Sequence, residues 1–161
     1  MARSRAGPPQ PVDEGAAPSP AAQAANRSAR ILPLIAFPVA VWALLPPYSG
    51  PALNTAAKVE FVDHVVPSVA ILLVAVASHV LARTRPKPEG ALFMCGLVVL
   101  LAGIWMTATH LPLVAQATRE EAPWGATIYH STPGLAVVGL GLLWAAAFWR
   151  DPPAREAEKA A

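Results

Sequence analysis

Apolar residues in this chain gather into four long runs, separated by short segments that hold nearly all of the charge. The runs cover residues 31–48, 62–82, 91–111 and 128–149. A helix needs about 20 residues to cross roughly 30 Å of hydrocarbon, and only a helix or a closed barrel satisfies its own backbone there. Each run therefore predicts a transmembrane helix. Asp63 is the only formally charged side chain inside the four runs.

The first run is the shortest, is interrupted by Pro33 and Pro38, and closes at Pro46 and Pro47. A cleaved signal peptide is the rival reading. The Arg-containing segment before the run is long for a signal sequence, and no small-x-small site follows directly, so the run is taken as a retained span. Residues 1–30 are rich in Ala and Pro and show no apolar periodicity, which predicts a disordered tail, and residues 150–161 form a second short tail.

Composition agrees with this pattern: 55% of residues are hydrophobic, 14% are charged, and the mean hydropathy is +0.44. A net charge of +2 could point to nucleic acid, but the basic residues flank the apolar runs, where they orient a membrane protein instead. Of the 12 Lys and Arg, ten lie in residues 1–30, 83–90 and 150–161, and only Lys58 and Arg119 lie on the other side. The expectation is a multi-pass protein of the cell membrane with both termini cytoplasmic and with external loops over residues 49–61 and 112–127. Short connections make sequential helices antiparallel neighbours, so the predicted fold is an all-α, up-down four-helix bundle whose first partner is the lipid bilayer. The aromatics Tyr48, Trp105, Trp124 and Tyr129 gather at the external boundary, and Phe148 and Trp149 at the internal one, as interfacial belts do.

Two spans share a pattern. Asp63-His64-Val65-Val66-Pro67-Ser68-Val69-Ala70 aligns with Tyr129-His130-Ser131-Thr132-Pro133-Gly134-Leu135-Ala136, giving His-x-x-Pro-small-apolar-Ala. A two-hairpin repeat explains it. So does local chemistry, since proline is tolerated in a first helical turn and a polar residue before it can cap the helix.

Candidate chemistry rests on the histidines. Cys95 is the single cysteine, which excludes an intramolecular disulfide, a CxxC pair and covalent haem attachment. The common phosphate-loop, Gly-x-Ser-x-Gly and HExxH signatures are absent. Of the four histidines, His64, His110 and His130 fall near the external boundary on three different spans, while His79 falls near the cytoplasmic end. Helical phase turns them inward: Gly96, Gly103 and His110 form one stripe, His130 shares a face with Gly134, Gly141 and Ala145, and His64 shares one with Ser68, Ala75 and His79.

Three converging imidazoles suit copper or zinc, and a facing pair suits haem b. Asp63 is placed to complete or orient such a site, and Met106, one turn before His110, would add a thioether that favours Cu(I). The competing explanation is that interfacial histidines only cap helices or hydrogen-bond a carbonyl. Three functional classes follow: a small metal- or haem-binding membrane protein, an accessory or assembly subunit of a larger membrane complex, and a small transporter that acts as a dimer, the homo-oligomer this reading requires.

Overall fold

The computed structural model describes residues 20–46, 59, 61–85 and 88–149. It contains four helices long and apolar enough to cross a membrane. They are α1 (Pro20–Leu44), α2 (Val66–Thr84), α3 (Glu89–Thr118) and α4 (Trp124–Phe148), with a π-helical turn, Phe61–Val65, running directly into α2. Each helix packs on the next in sequence and α4 packs back on α1, which closes a four-membered ring. The expected all-α membrane bundle is therefore the fold.

The ring is inverted relative to a soluble protein. Leu73, Leu101 and Leu143 are each about two-thirds exposed, while Ile71, Val99, Val137 and Trp144 are fully enclosed. Both layers are apolar, as expected where one faces lipid and the other the neighbouring helices.

The helix boundaries correct several expectations. Residues 20–30, expected in the disordered tail, are helical, so α1 begins well before residue 31. It stops at Leu44 because Pro46 and Pro47 lack the amide donors that would continue it, and the Leu45 amide instead bonds back to the Trp42 carbonyl at 3.1 Å. Tyr48 and most of the expected first external loop lie outside the described residues.

The third span does not end at 111. Helix α3 continues through Pro112 to Thr118 and spans 30 residues. Its end is a Schellman arrangement: the Glu121 amide bonds to the Gln116 carbonyl at 2.9 Å and the Glu120 amide to the Ala117 carbonyl at 3.2 Å. This requires a left-handed residue, and Glu120 takes that place with φ 62°. The chain reverses within residues 119–123, so the loop expected over residues 112–127 is much shorter.

Helix α4 starts at Trp124, four residues before the expected boundary. Pro133 is therefore inside the helix rather than in its first turn, and His130 does not cap it. The two His-x-x-Pro segments thus serve different local structures, since Pro67 lies at the start of α2 just after the π turn. Proline at 67 cannot donate to the carbonyl of Asp63, and a wider π turn at this point accommodates the missing α-type bond.

Candidate metal centre

The register of α3 against α4 is set by glycine. A Cβ added at Gly103 would lie 2.5 Å from the Val138 amide nitrogen, one at Gly141 2.5 Å from Leu100 Cα, and one at Gly96 2.7 Å from the Ala145 amide nitrogen. Real side chains do not tolerate such distances, so the two backbones meet only because Cβ is missing. A fourth contact, Gly134 against Thr107, continues the same antiparallel ladder, with 2.9 Å from the added Cβ to the Thr107 amide nitrogen. The next rung holds His110 beside His130, whose ring centroids are 6.5 Å apart at an interplanar angle of 27°.

The third imidazole enters from the π turn. His64 is fully enclosed, His110 is 5% exposed and His130 is 2% exposed. His64 meets His110 edge-on at a centroid distance of 4.8 Å and His130 at 5.7 Å. One ring nitrogen from each histidine lies within 4.8 Å of the other two. The structure therefore brings together the three histidines singled out by helical phase and turns all of them inward. None is an N-cap: the N-caps of α2, α3 and α4 are Val65, Pro88 and Pro123, without side-chain cap bonds, whereas His64 does bond a carbonyl at the C-terminal end of α1.

Hydrogen bonds fix the orientation of two of the rings. His64 Nδ1 donates to the carbonyl of Ala43, 3.1 Å away at the end of α1. That carbonyl is available because residue 47, four positions on, is a proline. His110 Nδ1 donates to the carbonyl of Met106 at 2.6 Å, and the Thr109 hydroxyl, itself donating to the same carbonyl, lies 3.3 Å from that nitrogen. Carbonyl oxygens only accept, so both Nδ1 atoms carry a proton. The two Nε2 atoms face each other at 3.0 Å.

The remaining candidates fall around this triad. Met106 is buried and its carbonyl supports His110. Asp63 is half-buried beside His64 in the π turn, but its carboxylate is not one of the converging ligand atoms. Ser68, on the same stripe as His64, is fully enclosed, and its hydroxyl makes no hydrogen bond. His79, at the opposite end of α2, lines an apolar groove with Pro33, Leu34 and Phe37 of α1. Cys95 is half-buried against the core.

The Ala43 carbonyl is the one part of the arrangement that the sequence reading missed. Its signal was present, because a proline four residues after an apolar helical position marks an orphaned acceptor. What could not be read was which side chain would reach it. No protein-family model, curated protein or solved structure matches the chain.

Proposed function

We propose that this is a small multi-pass membrane protein whose His64, His110 and His130 bind a single transition-metal ion, copper or zinc. The observation that carries the reading is the convergence of three buried imidazoles, one nitrogen of each within 4.8 Å of the other two, with the Nδ1 protons of His64 and His110 committed to carbonyls. Two Nε2 atoms 3.0 Å apart need a proton or another electrophile between them. A metal ion or one shared proton meets the need, and the third imidazole, also turned inward, favours the metal. At nitrogen–metal distances of about 2.0–2.1 Å, ligands around a trigonal or tetrahedral ion stand roughly 3.3–3.6 Å apart. The set needs to adjust by about an ångström, within the reach of side-chain torsions.

Haem is the poorer fit. Two axial imidazoles must lie on opposite faces of a macrocycle, whereas these rings already meet edge to edge with no gap for a porphyrin between His64 and His110.

The positive-inside count orients the bundle with both termini cytoplasmic and places the triad toward the extracytoplasmic side of the cell membrane. Reporters fused after Ala161 and inserted near Glu121 are expected to report opposite sides; the same side would refute this topology. For the site, the test is metal content of the detergent-purified protein beside His64→Ala, His110→Ala and His130→Ala. One copper or zinc per chain, lost in each variant, is the expected result. A wild-type protein that neither carries nor takes up metal would overturn the proposal.

A further inference from the structure

We infer that the groove between α1 and α2 is a binding site for one anionic phospholipid, taken from the leaflet at the end of the bundle away from the histidine triad. The groove has a volume of about 220 Å³ and is lined chiefly by Pro33, Leu34 and Phe37 of α1 and by Val76, His79 and Val80 of α2. His79 is the one polar residue of the lining. A buried water needs two to four polar partners, so within a membrane this space is filled by hydrocarbon.

What selects the hydrocarbon is the charge beside it. The two helices are antiparallel, since His64, just before α2, bonds to Ala43 at the end of α1. Helical phase therefore extends both walls of the groove toward the start of α1 and the end of α2. Arg30 lies three, four and seven residues before Pro33, Leu34 and Phe37, and Arg83 lies seven, four and three residues after Val76, His79 and Val80. Each arginine thus stands one turn beyond the groove, on the helix face that forms its wall. Arg27 adds a third charge, one turn further along α1. All three are exposed, and none has an ion-pair or hydrogen-bond partner among the described residues. Glu89 is the one carboxylate at this end among the described residues, and it begins α3, outside the lining of the groove.

Arginines that flank a span mark its orientation and by themselves require no ligand. Here the order of groups along the groove adds a second constraint: apolar side chains, then His79, then arginines. A phospholipid presents the matching order of acyl chain, ester and phosphate. His79 is half-buried, and its ring makes no hydrogen bond among the described residues. A ring N–H at that depth can donate to an ester carbonyl. Basic pockets between spans bind anionic head groups in this way, whereas a zwitterionic lipid brings its own cation and gains less from three arginines. The groove lies at the far end of α2 from His64, so the lipid site and the metal site stand or fall separately.

The test is native mass spectrometry of the full-length protein in mild detergent, titrated with phosphatidylglycerol and, separately, with phosphatidylcholine of the same acyl chains. One phosphatidylglycerol per chain is expected, held about tenfold more tightly than phosphatidylcholine. Arg30→Gln combined with Arg83→Gln should abolish that preference, whereas Arg119→Gln, at the triad end of the bundle, should keep it. Val76→Trp adds bulk at an exposed position of the lining and should weaken both lipids while leaving helix content and metal content unchanged. His79→Leu should also weaken both, and unchanged binding there would overturn the ester contact. Equal affinity of the wild type for the two lipids, or an equal loss of preference in Arg119→Gln, would overturn the recognition by charge. Unchanged binding in Val76→Trp would overturn the groove as the site.

Discussion

The two halves of the bundle are built by different means. Helices α3 and α4 touch backbone to backbone along four glycines and are joined by a short Schellman reversal. Helices α1 and α2 contain no glycine: Ala36, Ala40 and Ala43 are fully enclosed on one stripe of α1, yet a groove of about 220 Å³ opens beside Pro33 and Phe37. The first pair has a register that cannot slide without a steric clash. At the site end the second is tied by a hydrogen bond from His64 to the Ala43 carbonyl. The histidine triad straddles this divide, with His110 and His130 on the rigid pair and His64 on the looser one. The contrast implies a preformed two-histidine platform onto which the third imidazole is carried by the π turn.

The sharpest way to break this contrast is to add one methyl group to the rigid pair. Gly103→Ala and Gly141→Ala should each destabilise the folded bundle by about 3 kcal/mol, at the upper end of overpacking costs, because the atoms met are backbone and cannot rotate away. Thermal unfolding in detergent measures this, and metal content should fall in parallel. Gly139→Ala on the same helix is the internal control. Nothing lies within 4 Å of its added Cβ, so it should be neutral or stabilising by less than about 1 kcal/mol. Equal effects at 139 and 141 would remove the glycine ladder as the source of rigidity.

Next in size is loss of a ligand. His130→Ala should reduce metal affinity about 100-fold, near 2.7 kcal/mol, with helix content retained, as read by competition with a chelator. Loss of the fold along with the metal would instead make His130 a packing residue.

Two smaller effects sharpen the picture. Glu120 holds a left-handed conformation that costs a residue with a Cβ, so Glu120→Gly should stabilise the α3–α4 hairpin by about 1 kcal/mol, seen as a rise in unfolding temperature. Ser68 buries a hydroxyl without a hydrogen bond, so Ser68→Ala should be neutral or stabilising by up to about 1 kcal/mol. A destabilisation greater than that would mean that the hydroxyl has a partner in the loaded protein.

The sequence by itself determined the class and number of the elements, because hydrocarbon thickness imposes a length that apolar runs must meet. It also placed His64, His110 and His130 on inward stripes, since small residues seven or eleven positions away mark where helices approach. It misjudged the boundaries at residues 31, 112 and 128, since hydropathy marks where a helix enters lipid and backbone bonding continues beyond that point. Proline positions shifted in the same way: Pro112, expected at the start of a loop, and Pro133, expected in a first helical turn, both lie within helices. Only the tertiary structure decided that the three histidines meet. Their approach depends on the glycine ladder's register, on the π turn that aims His64, and on a carbonyl of α1 that Pro47 leaves open. Each of these is a relation between segments distant in the chain, and hydrophobic periodicity records only which face of one helix is buried.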